Sequence, residues 1–147
     1  MREVGHRISD IDVGMTSISS KVVTEADIVA FAEVSGDFNP VHMDQAYAKT
    51  TLFKGRIAHG MLSAAYISTV LGTQLPGPGC VYLSQSLKFE APVRIGDAVE
   101  AKVEVIAVDR EQRRVTLTTL CQVGKTVVVK GEAELMLPAD PKTATAA

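Results

Sequence analysis

The chain has 147 residues, 46% of them hydrophobic, and a formal net charge of −2. This length fits one domain with a core of its own, and the near-neutral charge without a basic cluster argues against nucleic acid or a membrane surface as a partner. No apolar run reaches the roughly 18 residues that a transmembrane helix requires.

The first twenty residues are mixed in polarity and predict no more than a short edge strand. They lack the apolar centre of a signal peptide, so we expect the protein in the cytoplasm. The segment TEADIVAFAEVSG then predicts a helix, because Thr24 can cap its start with Asp27 three residues later. Gly36 is placed to end this helix in a left-handed turn.

A second helix is predicted from Gly60 to Leu71, within the stretch GMLSAAYISTVLG. This stretch is apolar almost all round, which is typical of a buried helix. Between the two helices, Asp44 can cap a short polar helix, and KGRIAHG reads as a loop.

After the breaker LGTQLPGPG the pattern changes to strands joined by short turns, which predicts an antiparallel sheet. Val99, Ala101, Val103 and Val105 alternate with polar residues, and a glycine inside TVVVKGEAELML suggests a bulge or a close backbone contact. Helices followed by such a sheet indicate the α+β class, with the sheet curled around the buried helix. We expect one domain over residues 1–138, a disordered tail over 139–147, and dimerisation to cover the sheet edges.

The loop SGDFNPVHMD holds the first candidates for chemistry, Asp37 and His42. Pro40 disfavours helical backbone at Asn39, so the loop must bend. An adjacent acid and histidine could share one water and move its proton near neutral pH. The alternative is an ordinary loop in which Asp37 caps a turn, and spacing alone favours that alternative.

The second group of candidates surrounds the start of the apolar helix. Gly60 is placed where backbone N–H groups are unpaired, so it could stabilise a developing oxyanion, with His59 beside it. Ser68 lies on the same helix face as Gly60 and could line a site, although a serine bonded within its own helix is commoner. Two distant cysteines and three scattered histidines show no metal-ligand spacing, so no metal is expected.

Taken together, FAEVSGDFNPVHMD, GRIAHGMLSAAYIS and YLSQSLKFEAPVRIGD resemble the MaoC-like (R)-specific enoyl-CoA hydratases, over about residues 8 to 138. Asp37, Asn39, Pro40 and His42 match the D-x-N-P-x-H signature of that family. The resemblance implies the hot-dog fold, a curled antiparallel sheet around a long central helix, usually in a homodimer.

The resemblance also implies reversible addition of water to the trans-2 double bond of an enoyl-CoA, giving (R)-3-hydroxyacyl-CoA. Asp37 and His42 would activate the water, with the division of acid and base roles left open, and Gly60 would be the oxyanion donor. Asn39, Ser68 and His59 would line or support the site. No cofactor is expected, because CoA is part of the substrate. The family supplies polyhydroxyalkanoate precursors among other routes.

A hydratase of this family would need an apolar tunnel for the acyl chain, and the positions of Leu71 and Met136 suggest that they set its depth. The CoA phosphates would meet basic side chains at its mouth, either Lys54 or Arg56 or residues of the partner subunit, although surface charge pairing is the commoner role of such residues. A hydroxyacyl-carrier-protein dehydratase shares fold and motif and is the nearest alternative. A hot-dog thioesterase is disfavoured because GMLSAAYISTVLG carries no acidic residue. A non-catalytic acyl-CoA binder would be expected to lack Asp37 or His42.

Overall fold

The structure is a computed structural model that describes residues 4–140. Six strands form one sheet, in which all pairings are antiparallel. The strands are β1 (Thr16–Val22), β2 (Val81–Gln85), β3 (Lys88–Phe89), β4 (Ala98–Asp109), β5 (Arg114–Val123) and β6 (Thr126–Met136). Their order in the sheet is β1-β4-β5-β6-β2, and the short β3 also pairs with β6.

Four α-helices and one 3-10 turn (Ile8–Asp10) accompany the sheet in the described residues. The helices are α1 (Glu25–Ser35), α2 (Pro40–Met43), α3 (Gln45–Ala48) and α4 (Gly60–Thr73). The predicted caps of α1 are confirmed, because Thr24 accepts a hydrogen bond from the Asp27 N–H at 3.1 Å. Gly36 ends the helix at φ 79°, a left-handed conformation that glycine adopts without steric cost.

The core lies between α4 and the inner face of the sheet. Val99, Ala101, Val103 and Val105 of β4 are all 0% exposed, as their alternation with polar residues predicts. The α4 helix contacts β1, β4, β5 and β6, so the sheet curls around it. The predicted α+β order and the antiparallel sheet around a central helix are therefore confirmed.

The prediction that this helix is buried holds for only one side of α4 in the single chain. The sheet covers one side of α4 only, which buries the stripe Leu62, Ser63, Ile67, Val70 and Leu71. The opposite stripe is exposed and comprises Met61, Ala65, Ser68 and Thr69. The helix also continues two residues beyond the expected end, to Thr73.

The glycine inside β6 has the predicted close contact. A Cβ at Gly131 would lie 1.8 Å from the carbonyl oxygen of Ser86, so no side chain fits there. None of the helices between residues 4 and 140 has the length and apolar character needed to cross a membrane. The tail predicted over 139–147 falls largely on residues 141–147, which lie outside the described range.

Candidate active site

The loop between α1 and α2 is shaped by its own side chains. The Asn39 N–H donates to Asp37 Oδ1 at 3.1 Å, and the Val41 N–H donates to Asn39 Oδ1 at 3.1 Å. Pro40 is the first residue of α2, where its missing N–H costs nothing. The chain therefore leaves α1 at Gly36, turns, and starts the four-residue helix α2, which carries His42.

His42 is held from its far side, which leaves one ring nitrogen for chemistry. The side chain is 8% exposed, and its Nδ1 lies 2.8 Å from the carbonyl oxygen of Ile57. A carbonyl oxygen only accepts, so Nδ1 carries the hydrogen of this bond. The Nε2 atom is then left with a lone pair that can accept a proton.

Three titratable side chains lie close together around His42. The ligand-type atoms of Asp37, His42 and His59 all lie within 4.8 Å of one another. The His42 and His59 rings are 4.0 Å apart between centroids, and His59 Nε2 donates to the main-chain carbonyl of Asp37 at 2.9 Å. The bent loop thus brings Asp37 and His42 together, and His59, at the start of α4, lies beside them.

The environment of His42 favours its neutral form. Burial lowers the pKa of His42 below its ordinary value of 6.5, and repulsion from His59 and Arg56 acts in the same direction. The Ile57 carbonyl and the Asp37 carboxylate partly oppose this pKa shift. At neutral pH, His42 is therefore ready to accept a proton, and the Asp37 carboxylate can stabilise the cation that results.

His42 and His59 open onto a pocket of about 590 Å³. The pocket is mostly apolar, as expected of a site for a hydrocarbon chain. Its lining consists of His42, Leu52, Phe53, Ile57, Ala58, His59, Gly60, Met61, Ser63, Phe89, Glu90, Ala91, Pro92, Val93 and Val129.

Gly60 lies in this lining as the first residue of α4. Its N–H belongs to the unpaired first turn, where the helix dipole favours negative charge. A Cβ at this position would lie 2.6 Å from the Phe89 ring, so only glycine permits this packing. The site therefore combines an adjacent carboxylate and histidine with a backbone N–H of the kind that stabilises an oxyanion.

Five residues expected at the site are absent from the pocket lining of the single chain, and two of them, Asp37 and Asn39, belong to the loop beside it. The other three lie farther away. Ser68 lies on the exposed stripe of α4, eight residues and about 12 Å along the axis from Gly60. Leu71 is 1% exposed within the core, about 16 Å along the same axis. Met136 ends β6, opposite Val81 of β2.

Sequence reasoning missed Ser63, Phe89 and Glu90 as lining residues. Ser63 had a usable signal, because a residue three positions after Gly60 lies on the same helix face and much nearer to it than Ser68. Phe89 and Glu90 had none, since they reach the site only through the pairing of β3 with β6.

The guess that Arg56 meets CoA phosphates is not supported by its contacts. Its guanidinium pairs with both carboxylate oxygens of Glu25, at 2.8 and 3.1 Å, and its Nε donates to the His42 carbonyl at 2.6 Å. Arg56 therefore ties α1 to the His42 segment. Lys54 is exposed, with a left-handed backbone at φ 59°.

The cluster of Asp37, His42 and His59 has ligand types that metals use, and its ligand-type atoms lie within 4.8 Å of one another. Each ring already uses one nitrogen to donate to a main-chain carbonyl, His42 Nδ1 to Ile57 and His59 Nε2 to Asp37. That the site works without a metal stays a prediction.

This fold and site belong to a known family. The family model for the MaoC like domain matches residues 10–129, and the chain belongs to that family. The structure aligns with the solved (R)-hydratase from Aeromonas caviae, described as involved in PHA biosynthesis. The TM-score is 0.84 at 47% identity, covering 87% of this chain and 98% of that one. This likeness confirms the hot-dog fold.

Two curated relatives cover most of the sequence. An (R)-specific enoyl-CoA hydratase from Rhodospirillum rubrum is 54% identical over 134 residues, which are 91% of this chain and 93% of the relative. A 3-hydroxybutyryl-CoA dehydratase from Methylorubrum extorquens is 52% identical over 136 residues, covering 90% and 87%. The resemblance read from the three motifs is confirmed.

Proposed function

We propose that this chain is an (R)-specific enoyl-CoA hydratase, a hydro-lyase that adds water reversibly to a trans-2-enoyl-CoA. The observation that carries the proposal is that the Asp37 carboxylate lies close to His42, which lines an apolar pocket together with Gly60. Two relatives that are 54% and 52% identical to this chain are named (R)-specific enoyl-CoA hydratase and 3-hydroxybutyryl-CoA dehydratase, and these names support the proposal.

The geometry accounts for each part of the reaction. A water between the Asp37 carboxylate and His42 Nε2 donates its hydrogens to both and turns its oxygen toward Cβ of the substrate. A C–O bond forms at Cβ as the C=C π bond opens into an enolate, and the O–H bond of water breaks with its proton passing to the Asp37–His42 pair. The pair then returns a proton to Cα from the same side, and the thioester C=O re-forms. The Gly60 N–H stabilises the thioester oxygen as enolate charge develops on it.

The substrate supplies the rest of what is needed. The apolar lining takes the acyl chain, and the thioester already activates the double bond, so His and Asp suffice without a cofactor. CoA enters as part of the substrate. Glu90 is the acidic side chain in the lining, and it pairs with Lys130 at 3.1 Å and with Lys88 at 3.8 Å. These ion pairs disfavour Glu90 as the base of a thioesterase.

We place the enzyme in the cytoplasm, and its (R)-3-hydroxyacyl product has the chemistry required of a polyhydroxyalkanoate precursor. We also propose a homodimer, in which a second copy covers the edge strand β2 and the exposed stripe of α4. Val81, Tyr82 and Leu83 of β2 are 48%, 40% and 41% exposed, which is unusual for an edge that faces solvent permanently.

Light scattering on the purified protein is expected to give twice the chain mass. Leu83→Lys, which puts a charge on the β2 edge, should shift the mass toward one chain. Val34→Lys is the matched control, because Val34 is 83% exposed on α1, away from β2. A single-chain mass for the unmodified protein at micromolar concentration would contradict the dimer.

The activity is tested by following the enoyl-thioester absorbance of crotonyl-CoA with purified protein, followed by chiral analysis of the product. We expect rapid loss of absorbance and formation of (R)-3-hydroxybutyryl-CoA. Turnover of the carrier-protein thioester alone would assign the chain to the dehydratases of fatty-acid synthesis. Release of free CoA in place of hydration would contradict the roles of Asp37 and His42.

A further inference from the structure

His59 makes two contacts with the reacting groups that its place in the pocket lining does not require. It is 2% exposed, its Nε2 donates to the Asp37 carbonyl at 2.9 Å, and its ring lies 4.0 Å from that of His42. On its other side the ring packs against Phe31 at 4.8 Å between centroids. One side chain therefore touches both members of the pair while being fixed by α1.

We propose that His59 is a positioning residue for hydration, which acts through Asp37 by holding the main-chain carbonyl of that residue at 2.9 Å, so that the Asp37 carboxylate stays beside His42. This inference rests on the hydratase function proposed above. The Asp37 side chain is exposed, and its loop is otherwise held by short-range contacts to Ser35 and Asn39. The bond from His59 is the contact that spans 22 residues and ties this loop to the start of α4.

Packing alone does not explain a histidine at this position. Its Nδ1 is buried and has no hydrogen-bond partner among the described residues, which carries a desolvation penalty that an aromatic hydrocarbon ring would avoid. The bond from Nε2 to Asp37 is what a phenylalanine could not supply. The hydrogen bond from His59 Nε2 to the Asp37 carbonyl therefore offsets the cost of burying Nδ1 without a partner.

The test uses His59→Phe, which keeps an aromatic ring against His42 and Phe31 but removes the N–H donor. We expect kcat for crotonyl-CoA to fall by at least ~10-fold, because small displacements of reacting groups are costly. KM should stay within about threefold, since the apolar lining is retained. His6→Phe is the matched control and should leave both constants unchanged, because His6 contacts Pro76, far from the pair in sequence and outside the pocket lining.

A double-mutant cycle separates positioning from a merely structural role. If His59 acts through Asp37, then adding His59→Phe to Asp37→Asn should change kcat by no more than about twofold, because there is no carboxylate left to position. Loss of the full ~10-fold in both backgrounds would overturn the proposal. So would an unchanged kcat in the single variant.

The pH profile gives a further readout. Asp37, His59 and Arg56 are the charged or titratable groups that act on His42, and Glu90 lies in the same pocket. His59 lowers the pKa of His42, so its replacement by Phe should raise that pKa and move the acid limb of kcat/KM to higher pH. An acid limb that stays in place or moves to lower pH would contradict the contact between the two rings.

Nitrogen NMR of the unmodified protein tests the geometry without any variant. The chain has three histidines, so each ring can be assigned by single replacement. At pH 8 we expect opposite tautomers, with the hydrogen on Nδ1 of His42 and on Nε2 of His59. The same tautomer in both rings would overturn the proposal even if His59→Phe fails to fold.

These outcomes are distinct from failure of the hydratase proposal. If the unmodified protein does not hydrate any enoyl thioester, the function is wrong, whatever the tautomers are. If it hydrates crotonyl-CoA and His59→Phe keeps the same kcat and pH profile, the function stands and the positioning role is wrong.

Discussion

Replacement of His42 by glutamine is expected to lower kcat for crotonyl-CoA by at least ~10²-fold, the usual scale for a positioned acid or base. Glutamine has a similar length and can still donate to the Ile57 carbonyl, so the loop and the pocket should keep their shape. What it lacks is a nitrogen that can take and return a proton near neutral pH. Initial rates of absorbance loss, with the unfolding midpoint measured in parallel, check this expectation.

The pKa of His42 also predicts how the activity of the unmodified enzyme depends on pH. His42 must be neutral to accept a proton, and its pKa is lowered below 6.5, chiefly by burial. The midpoint of the acid limb should therefore lie below pH 6.5, with activity lost as the pH falls through the lowered pKa of His42. His6→Gln, the same change at a remote histidine, should keep full activity. Retained activity in His42→Gln would remove His42 from the mechanism.

The fold could be predicted from the sequence where local chemistry determines it. Thr24, Asp27 and Gly36 have one preferred use each at the two ends of a helix, and all three are used in that way. The alternating valines of β4 could only place one face in the core. The loop with Asp37 and His42 could also be predicted to bend, because the Asn-Pro step leaves the backbone few options.

The remaining part of the site depends on contacts that no local pattern contains. Helical spacing from Gly60 did not show whether Ser63 or Ser68 lines the site. The pocket surrounds only the first turn of α4, because β3 packs its Phe89 onto Gly60. The exposed stripe of α4 was misjudged for a related reason. The sequence of an apolar helix does not show whether its surface is covered by the same chain or by a second copy.

The contacts of His59 could not be predicted from the sequence either. Its place beside Gly60 suggested a supporting role, but the bond to the Asp37 carbonyl joins residues 22 positions apart. Such a contact follows only from how α1 and α4 pack around the loop. Asp37 and His42 could therefore be singled out from the family motif that they match, whereas the contact of His59 with Asp37 required the structure.

Asp37→Asn is expected to lower kcat by at least ~10²-fold as well, because the change removes the charge that stabilises a protonated His42. Asparagine keeps an oxygen that can accept from the Asn39 N–H, so the turn should survive the loss of charge. Asp44→Asn is the matched control, since Asp44 also accepts a backbone hydrogen bond, at the start of α3. It should leave kcat unchanged.

The direction of the pH shift distinguishes Asp37 from His59. The Asp37 carboxylate raises the pKa of His42, so its removal should lower that pKa and move the acid limb of the residual activity to lower pH. His59→Phe should move the limb the opposite way. A loss of activity in Asp37→Asn without this shift would mean that the carboxylate acts on the water or the substrate and not through His42. Full activity in Asp37→Asn would leave His42 as the one proton carrier of the pair and would end the account of a shared water.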